Sequence, residues 1–282
     1  MKAARIKNEQ LLAEIDRHMH DETNFHLWWL GQSGYLLLWK GQKVLIDPYL
    51  SDSLTKKYAN TNKQHIRISE RVIDPALLTG ISVVTSSHNH TDHLDAETLI
   101  PIIKNNTGIT FIIPEANRTF VSERIKAAND FPVGLTDGQQ VTVGAFTFTG
   151  VPAKHNELER DANGHPKYMG YVISFGGYSI YHSGDTLWFD GMVGLLKPFK
   201  VDVALLPING DDPARGVAGN LNAKEAAELG KAISARMIIP CHYDMFTFNT
   251  ANPAEFAGEA EKIDQPYVVL PQGGHFSSSE LK

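Results

Sequence analysis

The segment TSSHNHTDHLD at residues 85–95 concentrates side chains that can bind metal ions, with three histidines and two aspartates. It contains the pattern His88-x-His90-x-Asp92-His93. Imidazole nitrogens and carboxylate oxygens are ligands for Zn²⁺ and for other divalent cations. His88 and His90 are two positions apart, so an extended backbone turns them to the same side. Asp92 and His93 lie on the turn that follows, and their side chains can reach a second position close to the first. One segment could therefore supply ligands to two cations.

The same segment allows two other interpretations. A polar loop rich in histidine could simply cap the helix that follows it, and the letters HNH match the name of a nuclease class. That class requires a ββα-metal element with basic flanks, and the sequence around residues 85–95 shows no such context. Three histidines and an aspartate directly after a buried strand, where catalytic loops are common, favour the metal interpretation.

A site for two cations needs more ligands than one loop provides, and three further candidates each follow a strand-like run. Asp185 could instead cap a helix that starts near Leu187, and His155 could be a surface residue. His242 follows MIIPC and would otherwise need a buried hydrogen-bond partner. The predicted ligand set is His88, His90, Asp92, His93, His155, Asp185 and His242.

The elements that must position these ligands follow from apolar periodicity. Two apolar runs flank Gly31–Gly34, a hairpin turn is expected at residues 40–42, and Gly176–Gly177 marks a second hairpin. Asp95 is a plausible N-cap for a helix over 95–106. Further strands are predicted at 109–114, 139–153, 168–182, 201–208, 236–243 and 266–274, and further helices at 222–234 and 253–263.

The chain has 282 residues, of which 42% are hydrophobic, enough to bury a substantial core. Sheet segments with helices in both halves predict two packed sheets with helices outside. A doubly wound sheet is the alternative, but residues 131–182 lack its regular strand–helix alternation. We expect one domain over residues 1–282, with an N-terminal helical extension at about 1–22. That extension carries an apolar stripe formed by Leu11, Leu12, Ile15 and Met19.

Charge and cysteine content narrow the expected partners and compartment. The net charge is −6, which argues against nucleic-acid and anionic membrane partners because those favour a basic face. The single cysteine, Cys241, cannot form an internal disulfide, and after an apolar strand it is expected to pack rather than react. The N-terminus lacks the apolar core of a signal peptide, and no run approaches the ~20 apolar residues of a membrane span. These features predict a cytoplasmic protein.

The ordered ligand set resembles the metallo-β-lactamase fold superfamily of metal-dependent hydrolases. Within it, the phrases WWLGQSGYLLL, VLIDPYL, YHSGDT and VDVALLP are similar to the L-ascorbate-6-phosphate lactonase branch. The resemblance implies an α/β fold, a four-layer αββα sandwich of two mixed β-sheets flanked by helices. Many relatives carry a histidine where this chain has Gln32. Oxygen-reducing diiron relatives carry a glutamate at the position of His90, so histidine there favours hydrolysis.

The resemblance also implies roles for the ligands and a cofactor of two divalent metal ions per chain, Zn²⁺ or Mn²⁺. One ion would be held by His88, His90 and His155. The other would be held by Asp92, His93 and His242, with Asp185 bridging the two. Relatives often form homo-oligomers, and a homo-oligomer is therefore one expectation for this chain.

The expected function is hydrolysis by a metal-activated hydroxide, acting on a small, anionic, phosphorylated lactone or ester. A phosphodiesterase of the same fold acting on a lipid or nucleotide is the first alternative, and a non-catalytic metal-binding protein is the second. Asp92 could orient the nucleophile, Asp185 would set the metal spacing, and Tyr243 could donate to the oxyanion.

Three more residues are candidate substrate contacts. Arg215 could clamp an anion, because a guanidinium matches phosphate bidentately, although it could instead pair with Asp211 or Asp212. Asn209 and Trp188 are the other two candidates. His182, in YHSGD, is expected to orient the turn before Asp185 rather than to bind metal, and packing is the competing use of Tyr243.

Overall fold

The structure is a computed structural model that describes residues 1–281, and its strands form one seven-stranded and one six-stranded sheet. The strands are β1 His26–Gly31, β2 Gly34–Trp39, β3 Gln42–Ile46, β4 Ile81–Thr85, β5 Thr110–Pro114, β6 Val133–Leu135, β7 Gln140–Val143, β8 Phe146–Pro152, β9 Met169–Phe175, β10 Tyr178–His182, β11 Val203–Pro207, β12 Met237–Cys241 and β13 His275–Ser277. The larger sheet has the order β13-β1-β2-β3-β4-β5-β6 and the smaller one β12-β11-β10-β9-β8-β7.

Helices lie along the chain between the strands. The α-helices are α1 Glu9–His18, α2 Ser53–Tyr58, α3 Ala96–Asn105, α4 Arg118–Ile125, α5 Met192–Leu196, α6 Ala223–Ala232 and α7 Pro253–Lys262. Short 3-10 turns occupy Pro75–Leu77, Glu115–Asn117, Lys197–Phe199, Pro213–Arg215 and Ser278–Glu280. Among residues 1–281, none of these helices combines the length and the apolar character that crossing a bilayer requires.

Side chains that alternate along the larger sheet enter two different cores. In β1, Leu27 and Trp29 pack between the sheets, against residues of the smaller sheet such as Phe148. Trp28 and Leu30 point to the opposite face. This alternation is the period of two that strands impose. The second core also takes up residues from α1, α3 and α4, so helices cover the outer face of the larger sheet.

The smaller sheet is covered in the same way by α6 and α7. Ala226 and Leu229 of α6 and Phe256 of α7 are buried with apolar side chains of β11 and β12. The layers therefore run helix, sheet, sheet, helix. Both sheets mix parallel and antiparallel pairs: β3 to β6 are parallel and β1 to β3 antiparallel, while β10 to β12 are parallel and β7 to β10 antiparallel. The predicted αββα sandwich is confirmed.

Strand direction brings the predicted ligand loops together. The strands β8 and β10 each pair antiparallel with β9, so they run the same way, and β12 is parallel to β10 through β11. His155, Asp185 and His242 follow the carboxyl ends of these strands, and His88 follows the end of β4. Ligand-bearing loops collect at such ends in open α/β sheets.

The predictions for local structure have mixed outcomes. Both hairpin turns, the Asp95-capped helix and the N-terminal helix are confirmed. The strand predicted at 266–274 is wrong. Tyr267 makes only an isolated bridge to Ile238, and the last strand begins at His275. Pro266 and Pro271 lack the N–H groups that a continuous ladder needs.

Candidate metal centre

The loop after β4 forms a tight turn that fixes its histidines. His93 N donates to His90 O over 3.1 Å, and Leu94 N donates to the same carbonyl over 2.8 Å. The Asp95 carboxylate then accepts from the backbone of Thr98 over 3.0 Å and begins α3. The side chains of His88 and His93 are buried, while His90 is half-buried.

His88, His90 and His155 form the first of two ligand groups, with one nitrogen of each within 4.8 Å of the others. His155 Nδ1 donates to Gly219 O over 2.9 Å, because a carbonyl can only accept, and this leaves Nε2 with a lone pair. His155 Nε2 lies 3.2 Å from His90 Nδ1. Burial lowers the pKa of all three histidines, that of His90 to about 4. The three rings are therefore held neutral, as metal ligands must be.

Asp92, His93 and His242 form the second group, again with ligand atoms within 4.8 Å of one another. His242 Nε2 lies 3.6 Å from Asp92 Oδ2, and His93 Nε2 lies 3.8 Å from the same oxygen. Burial alone would lower the pKa of His242, but the carboxylates of Asp185 and Asp92 raise it to about 9. Without metal, a proton on His242 therefore supplies positive charge that bound cations would otherwise supply.

Asp185 lies between the two groups. Its Oδ1 is 3.2 Å from His93 Nε2, and its Oδ2 is 3.5 Å from His242 Nε2 and 3.8 Å from His155 Nε2. One carboxylate thus approaches histidines of both groups, as a bridging ligand must. The alternative of a helix cap is contradicted, because the next α-helix begins only at Met192.

The unpartnered polar atoms of the site fit divalent cations. His88 Nε2, His93 Nε2 and Asp185 Oδ1 are buried and without a hydrogen-bond partner, although the last two lie 3.2 Å apart. Buried polar atoms without a partner are rare and call for a ligand. Imidazole nitrogens with carboxylate oxygens suit both Zn²⁺ and Mn²⁺.

A buried aspartate that the sequence analysis did not assign supports both groups. Asp47 Oδ2 accepts from His93 Nδ1 over 2.8 Å and also from the Ser87 hydroxyl. Because that hydroxyl donates to Asp47, it accepts from His88 Nδ1 over 3.0 Å. The carboxylate thus keeps a proton on the outer nitrogen of one histidine in each group and leaves both inner nitrogens free to bind metal. The one sequence signal for Asp47 is its position directly after the apolar run Val44–Ile46, where the other predicted ligands also follow strands.

Two further residues hold the ligands in place. Gln32 Nε2 donates to Asp92 Oδ2 over 2.9 Å and lies 3.0 Å from His242 Nε2. His182 accepts from Gly184 N at Nδ1 and donates to Ser33 O from Nε2. The expectation that His182 orients the turn before Asp185 is confirmed.

A cavity of about 250 Å³ opens over the ligands. Its lining combines His90, Asp92, His155 and Asp185 with side chains that sequence reasoning missed, because distant loops bring them there. The cationic members are Lys57 and Lys63, and the cavity also includes His65, which the sequence analysis gave no role. The remaining lining residues are Leu54, Tyr58, Thr91, Gly216, Val217, Ala218 and Asn249.

The four residues predicted to touch substrate do not line this cavity. Tyr243 is buried against Trp29, with ring centroids 4.4 Å apart, and its hydroxyl donates to Leu270 O over 2.6 Å. Its only proton is thereby engaged, which contradicts a role as oxyanion donor and supports packing. Trp188 is half-buried against the core between the sheets.

Arg215 and Asn209 stabilise the loop that contains them. The Arg215 guanidinium donates to Asn209 O and Gly210 O, over 2.9 and 2.6 Å, and to Asn249 Oδ1. These contacts engage both terminal nitrogens of the guanidinium with protein oxygens, and they differ from the pairing with a neighbouring aspartate that was the alternative. The Asn209 amide donates to Asn249 Oδ1 over 2.8 Å and accepts from Asn220.

Comparison with known proteins agrees with this architecture. Residues 42–243 match the family model described as a beta-lactamase superfamily domain. A UPF0173 metal-dependent hydrolase of Methanosarcina mazei is 30% identical over 250 residues, covering 87% of this chain and 95% of the relative. One of Archaeoglobus fulgidus is 31% identical over 252 residues, with the same coverage of 87% and 95%.

A solved structure shows the same fold at lower identity. It is Igni18, a metallo hydrolase from Ignicoccus hospitalis, with a TM-score of 0.65 and 22% identity, covering 90% of this chain and 98% of that one. The family model covers well over half of the chain, and the curated relatives align along nearly their whole length. The chain therefore belongs to the beta-lactamase superfamily and, within it, to the UPF0173 family of metal-dependent hydrolases.

Proposed function

We propose that this chain is a hydrolase that uses two divalent cations, Zn²⁺ or Mn²⁺, to cleave a small phosphorylated lactone or ester. His88, His90 and His155 would hold one cation, and Asp92, His93 and His242 the other, with Asp185 between them. Paired cations supply hydroxide near neutral pH and polarise a substrate oxygen. The buried, unpartnered atoms of His88, His93 and Asp185, the last of which lines the cavity, support this assignment.

Within this proposal, the protein side chains fix the orientation of the reacting groups. Asp92 faces the cavity, and Gln32 holds its Oδ2 through a 2.9 Å hydrogen bond. The carboxylate is thus positioned to orient the nucleophile and to accept its proton. Asp185 has two oxygens near histidines of both groups, and this sets the spacing of the ligands.

The observation that carries the substrate class is the charge of the cavity wall. Lys57, Lys63 and His65 line the same cavity as the carboxylates of Asp92 and Asp185. The two ammonium groups would bind the phosphate of a substrate whose other end reaches the ligand side chains. The small volume of about 250 Å³ favours a compact substrate over a lipid chain.

A panel of sugar-phosphate lactones assayed beside bis-aryl phosphodiesters tests the reaction class. We expect faster hydrolysis of the lactones by the metal-loaded protein, and Asp185→Asn should lose at least about a hundredfold in kcat because the carboxylate between both groups loses its charge. The matched control Asp190→Asn, at an exposed position nearby, should keep full activity. A rate preference for the diesters would replace the lactonase assignment with a phosphodiesterase, and full activity of Asp185→Asn would exclude the bridging role.

The two lysines provide a separate test of the substrate class. Lys63→Met and Lys57→Met should each raise KM for a phosphorylated substrate about tenfold, while kcat changes little. Lys56→Met is the matched control, because Lys56 is exposed on the same helix and pairs with Glu97 instead of lining the cavity. Equal KM values in Lys63→Met and the unchanged protein would mean that the phosphate binds elsewhere.

A further inference from the structure

A second group of histidines lies on the outer face of the larger sheet, away from the candidate metal centre. His18 ends α1, His26 begins β1 and His275 begins β13. Trp28 is paired in register with His275, so the side chains of His26, Trp28 and His275 share one face of the sheet. None of these residues lines the cavity above the metal centre.

The three imidazole rings are close enough to share one cation. His26 Nδ1 lies 3.0 Å from His275 Nε2, and each of the three histidines offers one nitrogen within 4.8 Å of the others. Two nitrogens on a tetrahedral Zn²⁺ stand roughly 3.3 Å apart, given Zn–N bonds of about 2.0–2.1 Å. The His18 ring stacks on His26 and on His275, with centroids 4.0 and 5.0 Å apart and planes inclined by 28° and 20°, so its side chain would rotate to direct a nitrogen at a cation held by the other two.

The neighbouring carboxylates determine which nitrogens carry hydrogen. His26 Nε2 lies 3.1 Å from Asp21 Oδ2 and must donate to it, because a carboxylate only accepts. Asp21 is itself fixed by the backbone N–H groups of Thr23 and Asn24. His26 Nδ1 therefore presents a lone pair to His275. A carboxylate that fixes the outer nitrogen of a histidine is the arrangement typically found behind metal-binding histidines.

The surroundings keep the rings of His26 and His275 neutral. Burial and the neighbouring His18 lower the pKa of His26, and burial together with His26 and His18 lowers the pKa of His275 to about 4. Glu14 is 3.9 Å from His275 Nδ1, and Arg5 Nη2 donates to both oxygens of the same carboxylate, at 2.7 and 2.8 Å. An additional proton on His26 or His275 is thus disfavoured at neutral pH, whereas a neutral ring can bind a metal ion.

We propose that His18, His26 and His275 form a third cation site, which binds one Zn²⁺ and connects α1 to β1 and β13. The ligand set is purely imidazole, and such sets prefer Zn²⁺, Cu²⁺ or Ni²⁺ over Mn²⁺. The candidate metal centre contains two carboxylates and accepts Mn²⁺, so the two sites differ in selectivity. The cation would join residues far apart in sequence and stabilise the docking of the N-terminal helix.

Metal counting with single variants tests this site. The full-length protein is dialysed against Zn²⁺, freed of unbound ions and analysed for metal content. His18→Ala should hold one Zn²⁺ fewer per chain than the unchanged protein, and His20→Ala, the exposed neighbour, should match the unchanged protein. His18 is half-buried at a helix end, so its truncation leaves the cores intact. Equal zinc content in His18→Ala and His20→Ala would overturn the proposal.

A second measurement separates this site from the candidate metal centre. Asp185→Asn weakens metal binding at the candidate centre. The double variant Asp185→Asn with His18→Ala should still hold one Zn²⁺ fewer per chain than Asp185→Asn alone. With Mn²⁺ in place of Zn²⁺, His18→Ala should bind as many ions as the unchanged protein. Added Zn²⁺ should raise the midpoint temperature of thermal unfolding more in His20→Ala than in His18→Ala. Identical Zn²⁺-dependent shifts in those two proteins would contradict binding at the histidine triad.

Discussion

At the scale of single residues, Asp47 has the widest influence on the candidate centre. It holds His93 directly and His88 through the Ser87 hydroxyl, so one buried charge orients a ligand in each group. Burial raises the pKa of Asp47, yet the nearby His182 and the hydrogen bond from His93 lower it below its usual value. The carboxylate is therefore ionised at neutral pH and supports both groups at once.

We expect Asp47→Asn to weaken the affinity for both cations. The amide is similar in size but lacks the charge that keeps the proton on His93 Nδ1, and loss of such a partner weakens metal affinity about 10–100-fold. A chelator competition titration measures this change. Asp74→Asn, an exposed carboxylate that caps a 3-10 turn, is the control and should bind as the unchanged protein does. Unaltered affinity in Asp47→Asn would remove Asp47 from the metal-supporting role.

At the scale of elements, the predicted ligands were found because each follows a strand whose apolar run is visible in the sequence. Asp47 also follows a strand, but its direction toward His93 depends on the pairing of β3 with β4. Lys57 and Lys63 reach the cavity from a helix and a loop whose placement no local pattern shows. The prediction for Tyr243 rests on its position after His242 and that for Arg215 on the fit of a guanidinium to phosphate, whereas their polar atoms bond to Leu270 and to loop carbonyls.

The docking of α1 provides a prediction at the same scale. Leu11 is fully buried on the larger sheet, at 0% exposure, while its neighbour Leu12 is only partly buried. Leu11→Ala should reduce the free energy of unfolding by about 2–5 kcal/mol, because it leaves a cavity between helix and sheet. Urea denaturation measures the loss, and Leu12→Ala should show a clearly smaller one. Equal effects at both positions would mean that α1 does not pack through Leu11.

At the scale of the whole molecule, the ligand cluster couples folding to protons and to metal. The carboxylates raise the pKa of His242 to about 9 despite its burial, and burial lowers the pKa of His90 to about 4. A histidine whose pKa is raised stabilises the fold below its unfolded pKa of about 6.5 and loses that contribution as pH rises through the folded value. A histidine whose pKa is lowered acts oppositely, since its contribution is lost as pH falls from about 6.5 through its folded value.

We therefore expect the metal-free protein to be most stable near pH 6.5. Its free energy of unfolding should fall as pH rises toward about 9, with a slope of up to about 1.4 kcal/mol per pH unit for each proton released. It should also fall as pH drops from about 6.5 toward 4, because the unfolded chain takes up a proton on His90 while the folded chain does not. Urea unfolding across pH 4 to 10 after chelation measures both limbs. The metal-loaded protein is the control: cations replace the protons on His93 and His242, so its stability should not decline between pH 6.5 and 9. The same decline in both forms would show that the cations do not bind at these histidines.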